Sequence, residues 1–540
     1  MGQRTSVLLL FVALTAIITY PQVRVFRSAV IAEPAGRADA YLSMWRLGWI
    51  AHQLPRDPRH LFDANIFFPE RRTLAYTDAM LVPAVLVAPL IWGGVGLVTA
   101  HNITLLGALA LSGFTMFLFA RCLTGSIAAG VLAGVVFAFA PFRLEQYDHA
   151  EVEMAFWIPL ALLAFHRTLR SGRLRDGALL GALLGLQALS GLYNVIFFLT
   201  YLVVLAPLIA WAEGVRRPRQ VAGAVIVGGL VAALIALTYV QPFLAVHDVV
   251  GDRPLREIER YSATWSSFLA SPDMNRLYGW TAARFGGREL NLFPGVIVVA
   301  LAAVGLVAAR SRLAVAYSMA MVFALELSLG FNGALYRFFY EHSGIFRGLR
   351  VPARFDLDVM LSLAVVGAIG AAHILAKCGT RRRQFAFTVI VLAGMVVEYA
   401  SSPVLARTPR QASTVDRWLA GQNRAVLLEL PFAPVDQSND PLYMYEGTTH
   451  WQPMVNGYSG FFPQSYLDLM TRVETFDDSS MAYLRERQVD YVILREHMYD
   501  AEHLRVLLGQ LSTRQDVAFV GGFTNPEDAA LDALVYAIRK

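Results

Sequence analysis

Apolar runs close to twenty residues recur along the first three quarters of the chain, separated by short polar segments. They fall at 6–22, 102–121, 125–140, 152–169, 176–190, 193–213, 220–243, 292–309, 313–330, 355–376 and 385–403. A run of roughly twenty apolar residues in a helix matches the hydrocarbon thickness of a bilayer. The pattern therefore predicts a polytopic α-helical membrane protein with about eleven transmembrane helices. After residue 404 the pattern changes. "RAVLLELP", "VDYVILRE" and "ALVYAIRK" are short apolar runs that read as strands, the first ended by Pro431, and "VDRWLAG" and "SSMAYLRERQ" read as helices. The boundary divides the chain into a transmembrane domain, 1–404, and an α/β domain, 405–540.

A further apolar stretch, 79–98, is ambiguous. It contains Pro83 and Pro89, which interrupt a straight helix. Charge placement resolves it. Basic clusters stand at Arg167/Arg170/Arg173/Arg175, Arg216/Arg217/Arg219, Arg310/Arg312 and Lys377/Arg381/Arg382/Arg383. With an inside N-terminus, all of these face the cytoplasm only if 79–98 does not cross. The stretch is therefore expected to be re-entrant or interfacial. The large first outer loop then runs 23–101, and the C-terminal α/β domain is extracytoplasmic. "SVLLLFVALTAIITYPQV" follows Arg4 and is expected to stay as the first helix, since no small-x-small cleavage site follows at once.

Composition supports the membrane reading: 56% of the 540 residues are hydrophobic and 16% charged, against about a quarter charged in soluble domains. Cys122 and Cys378 lie at the ends of apolar runs and are expected as free thiols. No zinc-type spacing, phosphate-binding glycine loop or internal repeat is present, and nothing in the charge pattern suggests nucleic acid.

The outer loops carry the candidate chemistry. Asp39 precedes Tyr41, Trp45 and Trp49, which recur every four residues on one helix face. Such a face suits the headgroup layer, so this helix is expected along the membrane surface. Asp39 then has two readings: a helix cap, or an acid poised to take a proton. "HLFDANIFFPERRTLAYTDAML" adds Asn65, Glu70, Tyr76 and Asp78. "PFRLEQYDHAEVEMAFW" adds Arg143, Glu145, His149, Glu151 and Glu153. His149 and Glu153 are four residues apart, but two ligands are too few to define a metal site. "GIFRGLRVPARFDLDVML" places Arg347, Arg350 and Arg354 outside, against the charge bias. Their forks suit a phosphate or their stems snorkel to headgroups. "THWQPMVNGYSGFFP" offers His450, Trp451, Asn456 and Tyr458, either as an acceptor or gating loop or as a packed docking loop.

These segments together resemble the bacterial integral membrane glycosyltransferases of the GT-C fold, in particular a subgroup whose first outer loop carries an acid, a Trp-rich helix, "LFDANIFFPE" and "TLAY". The resemblance continues through "FRLEQYDHAE", "GGRELNLFPG", "LRVPARF" and "HWQPMVNGYSGFFP". It implies a GT-C-like transmembrane domain in the plasma (inner) membrane. It also implies transfer of a hexose or pentose from a polyprenyl-phosphate-linked donor to a glycan, lipid or protein acceptor on the outer face. Asp39 matches the family's first-loop acid and would be catalytic. Arg143, His149, Glu151, Arg350, Arg354, Tyr76 and Asp78 would bind substrate. A divalent metal is possible in such enzymes, and none is assigned here. One departure stands out: Ala38 follows Arg37 where the family more often has Gly or a second acid before the Asp. The alternatives are an inactive GT-C-like binding or assembly protein and a lipid-linked sugar transporter. A transporter should carry charge at mid-membrane, and the span centres here are nearly free of it.

Overall fold

The computed structural model describes residues 2–32, 36–408, 412–433, 438–473, 475–526 and 528–539, without the side chains of 247–250. The chain forms two compact units. The first comprises Met1–Val25, Asn102–Thr238 and Asp252–Val404, and the second comprises Phe26–His101, Tyr239–Gly251 and Leu405–Lys540. The first outer loop thus groups with the C-terminal segment.

The principal helices, in chain order, are α1 (Gly2–Ile18), α2 (Arg37–Gln53), α3 (Leu81–Trp92), α4 (Leu97–Thr124), α5 (Ile127–Phe139), α6 (Trp157–Ser171), α7 (Leu174–Ser190), α8 (Leu192–Glu213), α9 (Pro218–Val250), α10 (Val296–Val307), α11 (Arg312–Ser328), α12 (Asp356–Lys377) and α13 (Arg381–Glu398). Six described segments are long and apolar enough to cross a membrane: Leu97–Thr124, Ile127–Glu145, Ala150–Ser171, Leu192–Glu213, Pro218–Val246 and Pro352–Lys377. Other expected spans are shorter helices, for local reasons. The run 292–309 narrows to α10, because Pro294 and Gly295 (φ 102°) precede it and Arg310 (φ 47°) follows. Stretch 79–98 breaks into α3, twelve residues long, a turn at Gly93–Gly94, and the start of α4. Twelve residues rise about 18 Å, well short of a bilayer core.

In the first unit α12 is central and packs against α5, α10 and α11. Lipid-facing and protein-facing helices differ in burial. Of the apolar window of Pro218–Val246 only 17% is buried, whereas 89% of the Ile127–Glu145 window is. Apolar side chains left outside at Ile226, Leu230, Leu234 and Leu237 make sense against hydrocarbon. The other face of α9 meets α7 closely. A methyl group added at Gly181 would lie 2.0 Å from the carbonyl oxygen of Gly228. Glycine at 177 and 181 thus lets the two backbones touch, and Gly185 leaves room for the Ile235 side chain, as small residues do between membrane helices.

The second unit holds two sheets. β1 (Ala29–Ile31) pairs antiparallel with β2 (Leu405–Arg407). β3 (Val426–Leu430), β4 (Val489–Leu494), β5 (Val517–Phe523) and β6 (Ala533–Ile538) form a sheet in the order β3-β4-β6-β5, with only β3 and β4 parallel. Val415, Leu419, Leu427, Tyr443, Met454, Ile493 and Val535 are among its core. The helices here include α14 (Thr414–Ala420), α15 (Asp440–Glu446), α16 (Gln464–Arg472), α17 (Asp478–Glu486) and α18 (Ala501–Thr513).

Two loop motifs extend this sheet. The Leu427 N–H donates to Pro453 O and the Val455 N–H to Leu427 O, each at 2.9 Å. On the far side, Met454 N–H donates to Asn65 O (2.8 Å), Phe67 N–H to Asn456 O (2.8 Å) and Phe68 N–H to Met454 O (2.9 Å). "ANIFF" and "PMVNGYSG" therefore run side by side. This lateral pairing satisfies backbone groups that buried loops would otherwise leave unpaired.

Candidate functional site

In the second unit α2 presents Asp39. Its N-cap is Gly36, which makes no side-chain cap bond. Asp39 lies in the first turn, where a carboxylate suits the positive end of the helix dipole, but it is not the capping residue. It is half-buried, whereas every residue from Ala40 to Ala51 is buried. The hydroxyl of Tyr458 donates to Asp39 Oδ1 at 3.5 Å. Asp39 is thus the accessible acid at the mouth of an otherwise interior helix.

The aromatic face of α2 points into protein, not into headgroups. Tyr41, Trp45 and Trp49 are all buried. Tyr41 packs on Tyr445, ring centroids 5.2 Å apart. Burial pushes its hydroxyl up to about 12, against the pull of Arg37. Trp45 Nε1 donates to Asn65 Oδ1 (3.2 Å), and Asn65 Nδ2 donates to Gln452 O (3.1 Å). Trp49 Nε1 donates to Leu61 O (2.8 Å), and its ring meets Trp451 at 5.8 Å. The two indole N–H groups are satisfied inside the protein, one by a side-chain amide and one by a backbone oxygen, so the expectation that this face meets the headgroup layer is corrected.

Other expected site residues in this unit divide by burial. Tyr76 is buried and stacks on Phe67 at 5.9 Å. Asp78 is buried too; its backbone oxygen accepts from Arg46 Nη1 (2.6 Å), a fully buried arginine that the sequence reading did not single out. His450 and Asn456 belong to the interior and do not line a loop surface. The His450 side chain is fully buried, 3.4 Å from Asp416, and its Nδ1 accepts from the Gln452 N–H. Asn456 accepts from the Glu429 N–H and donates to Glu429 O and Asp440 Oδ1, stitching its loop to β3. Trp451 and Tyr458 remain half-buried, beside Trp49 and Asp39 respectively.

A buried ionic cluster underlies them. Arg495 holds Glu429 with both arms (2.8 and 3.1 Å) and lies 3.5 Å from Asp416. Burial, with the nearby negative charge of Asp416, pushes Glu446 up to about 8. Burial also raises Asp440, to about 6, although Tyr466 and Asn456 hydrogen-bond its carboxylate.

In the first unit the expected residues converge on one that the sequence reading did not name. Glu289 is buried and adopts φ 66°. Arg354 Nε donates to Glu289 Oε2 at 3.1 Å and its Nη2 to Oε1. Gln146 Nε2 donates to Oε2 at 2.9 Å, and His149 Nε2 stands 3.8 Å from Oε1. Burial alone would raise this carboxyl, but Arg354, His149 and the hydrogen bonds hold it well below its ordinary range. Arg143 is fully buried and pairs with Glu153, whereas His149 faces Glu289. Glu151 contributes its backbone oxygen to Asn194. Arg350 is about one-third exposed, lies over the Tyr261 ring and stands 3.8 Å from Glu257; Arg347 stands 3.6 Å from Asp252.

Among the described residues, three metal-ligating side chains come within 4.8 Å of one another at Glu496, His497 and Asp532. None of these is an expected site residue, and Asp39 belongs to no such group.

No protein-family model matches the sequence, and no curated protein matches it. Solved structures do. The archaeal oligosaccharyltransferase AglB from Archaeoglobus fulgidus, in complex with an inhibitory peptide and a dolichol-phosphate, aligns over 93% of this chain and 71% of its own, with a TM-score of 0.52 and 12% identity. The arabinofuranosyltransferase AftD from Mycobacteria aligns over 99% of this chain, with a TM-score of 0.56 and 16% identity. The chain spans only 41% of AftD. This chain has the GT-C fold. At such identities the likeness fixes the GT-C architecture and leaves the chemistry to the residues themselves.

Proposed function

We propose that this GT-C protein is a membrane glycosyltransferase that moves a sugar from a polyprenyl-phosphate-linked donor to an acceptor hydroxyl. The observation that carries the reading is the half-buried carboxylate of Asp39, in the first turn of α2 and hydrogen-bonded by Tyr458. It stands in a fold shared with sugar transferases. Asp39 is also the residue that matches the first-loop acid of the family the sequence resembles.

In this reading the acceptor oxygen attacks the anomeric carbon while its proton passes to Asp39. The bond from that carbon to the phosphate oxygen breaks, and its electron pair leaves with the polyprenyl phosphate. The configuration inverts. A positioned base typically contributes about a hundred- to ten-thousandfold to such a step. Arg354 has its fork closed on Glu289, and its proposed part is to fix that buried loop. The charge asymmetry of the loops supports a reaction on the outer face of a bacterial plasma membrane.

The test uses purified full-length protein in lipid nanodiscs. It is given radiolabelled polyprenyl-phosphate-linked pentoses and hexoses, with membrane glycan extract as acceptor. Release of label from the lipid phase supports the proposal. No release from any donor, with the protein folded, favours an inactive GT-C-like binding protein.

A further inference from the structure

Tyr458 is set on a rigid support. Asn456, two residues earlier, is fully buried and bonded on both sides to Glu429 and Asp440. Between them, Gly457 lies against the Phe67 ring. A methyl group there would come within 2.7 Å of ring carbons, so only glycine lets the loop approach this closely. Phe67 is held in turn through its N–H to Asn456 O. The backbone N–H of Tyr458 points at the sulfur of Met444 (3.1 Å), and the ring meets Phe462 edge-on at 5.9 Å. Backbone and ring are therefore both fixed, and the hydroxyl comes to Asp39 Oδ1.

We infer that Tyr458 is a positioning residue for Asp39; the inference rests on the reading of Asp39 as the proton acceptor. A carboxylate on a single χ1/χ2 pair has rotational freedom. A donor on Oδ1 narrows the set of rotamers from which the carboxylate meets the acceptor hydroxyl. Support of this kind, a base oriented by a third group, is what precise proton transfer requires. The 3.5 Å separation is long for a hydroxyl–carboxylate bond, and such bonds tighten when substrate arrives. The loop motif "NGYSGF" is thereby explained as one device: Asn456 anchors, Gly457 permits the approach, Tyr458 orients.

The test compares wild type, Tyr458→Phe and Asp39→Asn in the nanodisc assay, with kcat and KM for the donor and the thermal unfolding midpoint of each. Losing a hydrogen bond to a charged group corresponds to about ten- to a hundredfold in rate. Tyr458→Phe keeps the ring and its packing, so kcat should fall by about that factor with KM and the unfolding midpoint unchanged. An unchanged kcat overturns the inference. So does a raised KM with unchanged kcat, which would make Tyr458 a substrate-binding group. Fully active Asp39→Asn, or a wild type inactive with every donor, removes the reading beneath it. Inactive Asp39→Asn beside unaffected Tyr458→Phe removes this inference alone.

Discussion

Glu289 and Arg354 close on each other with both carboxylate oxygens and two guanidinium nitrogens, in a buried setting sixty-five residues apart in sequence. Gln146 donates to the same carboxylate and His149 faces it, so three side chains from two loops meet at one acid. A bidentate pair of this kind is directional, and it fixes the loop before α10 against the entry to α12.

Glu289→Gln should destabilise the protein strongly. It leaves Arg354 buried without its counter-charge, a loss of about 3–5 kcal/mol. The check is thermal unfolding in nanodiscs. The pH dependence has a definite sign: the folded carboxyl is held below its ordinary value, so its contribution is present above about pH 4.5 and fades as pH falls below that. Wild type should lose stability on acidification through that range more steeply than Glu289→Gln.

Glu446 predicts the opposite dependence. Its carboxyl, pushed up to about 8 by burial and then by Asp416, binds its proton more tightly folded than unfolded. The stability this gives is complete below about pH 4.5 and is lost as pH rises through about 8. The unfolding midpoint of wild type should therefore drop between about pH 5 and pH 9, and Glu446→Gln should flatten that drop. Parallel curves for the two proteins would show that Glu446 titrates normally.

Asn65 links α2 to the loop beside β3. Asn65→Ala removes the partner of the buried Trp45 N–H and of the Gln452 carbonyl. Each buried group left unpaired costs about 1–3 kcal/mol. A lowered midpoint, followed by tryptophan fluorescence, is expected. An unchanged midpoint would mean that the two motifs are held by their backbone bonds alone.

Much of this was legible before folding. Strands β3, β4 and β6 are short apolar runs bounded by polar residues, and period alone located them. β5 was not located, because "VAFVGGF" carries two glycines and leaves most of its side chains half-buried or exposed. The aromatic stripe of α2 was read with the right period and the wrong surroundings. Period reports which residues share a face and says nothing of what covers it. Glu289 was passed over for a different reason. Its partners Arg354 and Gln146 lie 65 and 143 residues away, and a lone acid in "GGRELNLFPG" carries no local signal. His450 and Asn456 looked like binding groups because amides and imidazoles serve equally well inside a fold. Only burial separates the two uses.

The outer-face assignment is tested by a phosphatase reporter joined after Lys540. Activity in intact cells is expected, because the four basic clusters lie inside only with an external C-terminus. A fusion active only in lysates would move the proposed reaction to the cytoplasmic side.

The central claim is that Asp39 takes the acceptor proton, and Asp39→Asn addresses it most directly. Asparagine keeps the shape and hydrogen bonding but cannot accept the proton. Since Gly36 rather than Asp39 occupies the cap position, folding and membrane insertion should be unchanged. Transfer of labelled sugar from the polyprenyl-phosphate donor should fall about a hundred- to ten-thousandfold. Transfer at the wild-type rate by Asp39→Asn would contradict the account.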